Sequence, residues 1–106
     1  MASSRIRMAE AARRGELVEV SILIQHPMET GFRRDLKGER VPRNAIHSFR
    51  CRYNGVDVFR ATLSTGIAAN PTLRFFFVAA ETGDVDFWWL DDDEVEGSAR
   101  ARLTVT

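Results

Sequence analysis

The chain has 106 residues, which is enough for one hydrophobic core and predicts a single domain over residues 1–106. Hydrophobic residues make up 44% of it and charged residues 28%, a composition that excludes disordered, collagen-like and coiled-coil proteins. Fifteen Lys and Arg balance fifteen Asp and Glu, so no net charge directs the protein to nucleic acid or to an anionic membrane.

Residues 1–15 contain arginines but no apolar run after them, which argues against a signal peptide in this chain. We expect this stretch to be a flexible N-terminal segment apart from a short strand within residues 6–12. No part of the chain approaches the roughly 18 apolar residues of a membrane-spanning helix, so we expect no membrane partner. The single cysteine, Cys51, excludes an intramolecular disulfide.

The first clear strand covers residues 16–25, where apolar side chains recur at every second position. Pro27 ends it because proline has no N–H for a sheet. Residues 28–44 follow neither a two-residue nor a 3.6-residue period, and they contain Gly31, Gly38 and Pro42. We interpret them as a long structured loop.

A β-hairpin follows this loop. Residues 45–53 alternate, with His47 and three apolar or aromatic residues on one face and Ile46 on the other. Asn54-Gly55 then predicts a type I′ turn, because both of its central residues need a positive φ, and residues 56–63 form the returning strand.

Three more strands complete the pattern. A polar connection over residues 64–71 leads to a strand at 72–79, whose three consecutive phenylalanines predict that both of its faces are at least partly covered. Residues 85–90 form the next strand. The acidic run at residues 91–94 is interpreted as a solvated turn, followed by a turn at Gly97-Ser98 and a last strand at 99–105. About seven short strands without an amphipathic helix predict an all-β fold, an immunoglobulin-like β-sandwich.

The residues offer little catalytic or metal-binding chemistry. Nitrogen and sulfur ligands come only from His26, His47 and Cys51, and the last two lie about 13 Å apart if they share a strand. Strand alternation directs Arg50 and Arg52 away from Cys51, which favours a buried core cysteine over a nucleophile. Phosphate-binding glycine loops and EF-hand spacing are absent from the sequence. We therefore predict no catalytic residue, no cofactor and no metal.

The loop at residues 28–44 is the best candidate for a partner interface, because long loops in compact domains often serve recognition. Met28 and Phe32 would supply apolar contact, while Arg33 and Arg34 would supply polar contacts at the rim. The alternative interpretation is a loop held only by its own turns and ion pairs.

The order of motifs resembles the SoxZ family. The similarity spans residues 17–105 and rests on HPMETGFRRDLKGERVPRNAI, the YNG turn, Asn70-Pro71 before an aromatic strand, and a tryptophan before an Asp-rich turn. The resemblance implies a β-sandwich that is the non-catalytic subunit of the SoxYZ carrier of thiosulfate oxidation.

It further implies a heterodimer with a SoxY-like subunit, whose C-terminal arm carries sulfur intermediates on its cysteine, and transient contacts with other Sox enzymes. Because Cys51 lies mid-strand, we do not expect this chain to be the carrier itself. A chain expressed alone is expected to form a homodimer. SoxZ-like chains without a signal peptide are exported with SoxY, which implies a periplasmic location, although the sequence alone would indicate the cytoplasm.

Two other functions stay open at this stage. One is a generic immunoglobulin-like protein-binding module with no relation to sulfur. The other is a small enzyme in which His26 or His47 works with Asp35 or Glu29 as an acid–base pair.

Overall fold

The structure of the protein is a computed structural model, which describes residues 3–64 and 69–106. Within those ranges the chain forms eight strands and no helix, and no helix there could span a membrane. In chain order the strands are β1 (Ser4–Met8), β2 (Ala11–Ala12), β3 (Leu17–Ile24), β4 (Ile46–Tyr53), β5 (Val56–Thr62), β6 (Thr72–Val78), β7 (Gly83–Asp91) and β8 (Glu96–Val105).

The strands build two sheets. One has three strands in the order β1-β3-β6, and the other has five in the order β2-β8-β7-β4-β5. This arrangement confirms the predicted immunoglobulin-like β-sandwich. The structure has eight strands where the sequence predicted about seven, because residues 3–15 contribute an edge strand to each sheet: β1 pairs with β3 and β2 with β8.

Aromatic side chains from both sheets meet in the core. Phe49 of β4 lies edge-on to Phe75 of β6, with ring centroids 6.1 Å apart. Phe59 of β5 stacks on Phe75 at 4.3 Å, and Phe87 of β7 lies 6.5 Å from Phe75. Because Phe75 belongs to the three-stranded sheet and the others to the five-stranded sheet, these contacts hold the two layers together.

The hairpin between β4 and β5 forms as predicted. Asn54 and Gly55 have φ angles of 51° and 82°, as a type I′ turn requires. Tyr53, the last residue of β4, is buried, and its hydroxyl accepts hydrogen bonds from the backbone N–H groups of Ala80 and Glu81. This end of the hairpin is therefore fixed to the chain that follows β6.

The start of β4 differs from the expected alternation. The register with β7 shifts between Ile46 and Ser48, which is the signature of a β-bulge. The bulge turns Ile46 into the core and leaves His47 half-buried, whereas simple alternation predicted the reverse. From Phe49 onward the predicted faces are correct.

The outer face of β6 is only partly covered. Phe76 and Val78 are 54% and 55% exposed, because only the inner face of the three-stranded sheet packs against the second sheet. The prediction that both faces of β6 are at least partly covered therefore agrees with the structure, in which the outer face is about half exposed.

The turn expected at Gly97-Ser98 lies earlier in the chain. Both residues are within β8, and the chain reverses at residues 92–94, where Glu94 has a φ of 61°. Gly97 pairs with Trp89 of β7, and a Cβ atom on Gly97 would lie 2.1 Å from the indole ring. A glycine is therefore required at position 97, because any larger side chain would collide with the Trp89 indole. Residues 65–68 of the predicted connection lie outside the described residues.

Gly97→Ala should lower the free energy of unfolding by about 1–3 kcal/mol, because the new methyl group displaces the buried indole of Trp89. The measurement is urea unfolding followed by tryptophan fluorescence. Ser98→Ala, at the exposed neighbouring position, is the control and should leave the midpoint unchanged. Equal midpoints for both variants would contradict the assigned contact.

Candidate partner-binding arm

Residues 29–44 form a hairpin-like arm, which confirms that this segment is a structured loop. At its base, Glu29 and Asn44 exchange backbone hydrogen bonds in both directions, and further out Val41 donates to the carbonyl of Arg33. Residues 32–40 are all exposed. The Cα radius of gyration is 16.0 Å, against about 13 Å for a compact chain of this length, as expected when a segment extends from the sandwich.

The tip of the arm is a hydrogen-bonded turn. Asp35 Oδ1 accepts hydrogen bonds from the backbone N–H groups of Lys37 and Glu39, at 2.9 and 3.0 Å. Gly38, with a φ of 80°, donates to the Asp35 carbonyl, and Arg34 donates to the Gly38 carbonyl at 2.8 Å. The aspartate at the start of the turn and the glycine at its end are the residue types that such a turn favours.

A buried histidine and a buried aspartate hold the first end of the arm. His26 Nδ1 accepts a hydrogen bond from the Met28 backbone N–H at 3.0 Å, so the ring proton lies on Nε2. Nε2 donates that proton to Asp91 Oδ2 at 3.2 Å. Because His26 precedes the arm and Asp91 ends β7, this pair ties the arm to the five-stranded sheet.

Asp91 has a second role in the turn after β7. Its Oδ1 accepts hydrogen bonds from the backbone N–H groups of Asp93 and Val95. Burial acts to raise the pKa of the Asp91 carboxyl, but the hydrogen bonds from Val95, His26 and Asp93 together hold this pKa below its ordinary value. Asp91 is therefore a charged, buried hydrogen-bond acceptor.

Asp92 holds the other end of the arm. Its Oδ2 accepts hydrogen bonds from Arg43 Nε and from the Ala45 backbone N–H, both at 3.1 Å. The Asp92 backbone N–H donates in turn to the Ala45 carbonyl. The acidic run is thus not simply a solvated turn, because its first two carboxylates fasten both ends of the arm.

The structure places the four predicted interface residues differently. Met28 is only 4% exposed, and its Sδ accepts a hydrogen bond from the Ile46 backbone N–H at 3.3 Å. The expected surface role of Met28 is therefore wrong for this conformation, because the bulge at the start of β4 leaves an N–H group that the thioether satisfies. Met28 instead packs under the base of the arm.

The other three predicted residues are exposed on the arm. Phe32 is 78% exposed, and the guanidinium of Arg40 lies 5.9 Å from its ring centroid. Arg33 binds the Glu29 carboxylate with two nitrogens, at 2.7 and 3.0 Å. Arg34 supports the tip. Whether these residues contact a partner stays a prediction.

The sequence analysis missed one residue of the arm, Leu36, and two residues that attach the arm to the sandwich, Asp91 and Asp92. Leu36 is the only apolar residue of the tip turn, and a lone leucine between Asp35 and Lys37 was the signal that could have found it. No signal in the sequence indicates that Asp91 meets His26, because 65 residues separate them.

The acid–base pairs considered for an enzyme are not brought together. His26 contacts Asp91, while His47 Nδ1 contacts the Ser48 hydroxyl. Glu29 is paired with Arg33. Asp35 lies at the tip of the arm, where it closes the turn.

Cys51 is a core residue, as predicted. Its side chain is fully buried, and burial, with smaller contributions from Asp86 and Asp57, raises the pKa of its thiol to about 12. The thiol is therefore protonated at neutral pH and lacks the thiolate needed for nucleophilic attack. Among the residues that the structure describes, no three His, Cys, Asp or Glu side chains form a metal-binding group.

The family model described as "Sulphur oxidation protein SoxZ" matches residues 6–102. The chain belongs to the SoxZ family. This membership confirms the resemblance and gives the chain a role in the Sox sulfur-oxidation system. No curated protein sequence matches the chain.

Solved structures support the fold. The chain is similar to a superoxide reductase (neelaredoxin) from Ignicoccus hospitalis, with 16% identity, a TM-score of 0.76 and coverage of 98% of this chain and 80% of that one. A putative superoxide reductase from Thermotoga maritima has 14% identity, a TM-score of 0.74 and coverage of 97% and 85%. The sulfur carrier protein SoxY from Chlorobium limicola f thiosulfatophilum has 13% identity, a TM-score of 0.66 and coverage of 97% and 78%. At these identities the similarity shows the fold alone.

Asp91→Asn should destabilise this SoxZ-family chain by about 1–3 kcal/mol at pH 7, because His26 and two backbone N–H groups lose a charged acceptor. The lowered pKa of Asp91 means that its carboxylate stabilises the fold above the unfolded pKa of about 3.9, and that this contribution is lost as the pH falls further. The variant should therefore lose less stability between about pH 5 and pH 2 than the unmodified chain.

The measurement is the free energy of unfolding in urea over that pH range. Asp93→Asn is the matched control, since the Asp93 side chain is exposed in the same turn. Identical pH profiles for Asp91→Asn and the unmodified chain would contradict the assigned role of Asp91.

Proposed function

We propose that this chain is a non-catalytic scaffold subunit. It forms a heterodimer with a SoxY-like subunit and helps to present the sulfur intermediates bound to that subunit to other Sox enzymes, which it contacts transiently. The observation that carries the proposal is the SoxZ family match over residues 6–102. The buried, protonated thiol of Cys51 supports a division of labour in which the partner's cysteine carries the sulfur.

The proposed partner interface is the arm. Phe32, Arg33 and Arg34 are the predicted contact residues that the arm exposes, whereas Met28 contributes by fixing its base. An exposed aromatic ring among arginines is the composition that protein interfaces favour. The proposed location is the periplasm, reached by export together with the SoxY-like partner.

Co-expression with the SoxY-like protein of the same organism tests this function. Affinity capture on this chain should recover the partner at one-to-one stoichiometry, and intact mass analysis should find a sulfur adduct on the partner's C-terminal cysteine and none on Cys51. A partner with that cysteine replaced by serine is the control, which should be captured without the adduct.

The alternative function is a generic immunoglobulin-like binding module unrelated to sulfur. Failure to recover the SoxY-like protein, with capture of this chain alone or as a homo-oligomer, would favour that alternative and contradict the scaffold role. Recovery of the partner with the adduct on Cys51 would instead contradict the assignment of the carrier cysteine.

The chain expressed alone should form a homodimer through the outer face of the three-stranded sheet. Leu17 and Val78 lie opposite each other in register there, next to Phe76, and all three are exposed. β6 is also an edge strand, and exposed apolar edges favour association.

Size-exclusion chromatography with light scattering should show a concentration-dependent dimer, and Phe76→Lys should shift it toward the monomer. A lysine at this position lies opposite Glu19 and keeps the strand pairing favourable. A monomer at all concentrations, or a dimer unaffected by Phe76→Lys, would contradict this surface.

A further inference from the structure

The tip of the arm exposes a leucine that packs against none of the residues the structure describes. Leu36 has the full exposure of an isolated residue, although burying a leucine side chain is energetically favourable. The turn around it also prevents it from folding back. Asp35 Oδ1 binds two backbone N–H groups across the turn, and the Asp35 and Glu39 backbones are hydrogen-bonded to each other.

The base of the arm that carries this turn is hydrogen-bonded to the sandwich. Asp92 and the His26–Asp91 pair fasten the two ends of the arm to the sandwich. A side chain presented on a preorganised segment loses little conformational freedom on binding, and this raises the affinity that a given contact area provides. Leu36 is thus held at a distance from the core in the conformation in which it would dock.

The charges around Leu36 indicate what kind of surface it fits. Residues 32–43 contain five basic side chains and two acidic ones, in a chain whose net charge is zero. Arg33 and Arg43 are already paired, with Glu29 and Asp92. The remaining three, Arg34, Lys37 and Arg40, form no ion pair with any residue in the described ranges.

On this tip Arg34, Lys37 and Arg40 outnumber the two acidic residues, Asp35 and Glu39, so Leu36 lies on a net positive surface that complements an apolar pocket with carboxylates at its rim. Stable interfaces bury a central apolar anchor surrounded by polar contacts, whereas transient contacts are smaller and more polar. Both exposed apolar side chains of the arm, Phe32 and Leu36, therefore favour the permanent partner over passing enzymes.

We propose that Leu36 is the anchor of the heterodimer, and that it inserts into an apolar, carboxylate-rimmed pocket of the SoxY-like subunit. This inference rests on the proposed function, which names that subunit as the partner. It assigns the central contact to a residue outside the predicted set of Met28, Phe32, Arg33 and Arg34.

Leu36→Asp tests the anchor, because it replaces the apolar tip by a charge that repels the proposed rim. The unmodified chain and each variant are immobilised in turn, and the dissociation rate and affinity of the SoxY-like subunit are measured on each. Leu36→Asp should weaken binding by about 30-fold or more, as loss of an interface hot spot does. The thermal midpoint should stay unchanged, since Leu36 makes no contact within the fold.

Val56→Asp is the matched control, and Phe76→Lys tests a competing interface. Val56→Asp places the same charge on an exposed apolar position of the β4–β5 hairpin, and Phe76→Lys changes the outer face of the three-stranded sheet. Val56→Asp should bind like the unmodified chain. Lys37→Glu should slow association and reduce the salt dependence of binding, because it reverses one of the cations that would face the rim.

The outcomes separate the two proposals. If the unmodified chain binds and Leu36→Asp binds equally well, the anchor is overturned while the scaffold function stands. If only Phe76→Lys loses binding, the sheet face is the interface and the anchor is again overturned. If both Leu36→Asp and Phe76→Lys lose binding, the anchor is supported within a wider interface. If the unmodified chain does not bind the SoxY-like subunit, both proposals fail.

Discussion

The buried hydrogen bond between His26 and Asp91 is the constraint that positions the rest of the site. It joins His26, which lies shortly before the arm, to the last residue of β7, and Asp91 also closes the turn into β8. A buried carboxylate is costly unless hydrogen bonds satisfy it, and here three donors do so. At the other end of the arm, the partly buried Asp92 carboxylate accepts hydrogen bonds from Arg43 and from the Ala45 backbone. Two adjacent aspartates thereby convert a polar, glycine-containing loop into a fixed extension of a β-sheet.

The sandwich supplies the rigidity on which this depends. Its aromatic core packs Phe75 of one sheet against rings of the other, and Gly97 leaves room for the indole of Trp89. The bulge at the start of β4 brings Ile46 inward and presents a backbone N–H to Met28 Sδ. Ile46 and Met28 therefore belong both to the packed core and to the attachment of the arm, so a change in one alters the other.

The distribution of reactive groups fits a subunit that binds. The imidazole of His26 and the carboxylate of Asp91 are engaged in holding the fold, and the thiol of Cys51 is buried and protonated. Exposed features include apolar side chains on the arm and on β6, together with tip cations that form no ion pair within residues 3–64 and 69–106. These surfaces are the ones on which the proposed scaffold role depends, while the similarity to superoxide reductases shows the sandwich fold alone.

The sequence by itself determined the β-sandwich, the limits of most strands, the Asn54-Gly55 turn and the burial of Cys51. These follow from two-residue periodicity and local turn chemistry, which neighbouring residues specify. It also located the segment that becomes the arm. Only the tertiary structure decided that Met28 is buried, that Leu36 is presented and that His26 meets Asp91. Those outcomes depend on a bulge, which reverses the alternation, and on contacts between residues far apart in the chain, which no local pattern encodes.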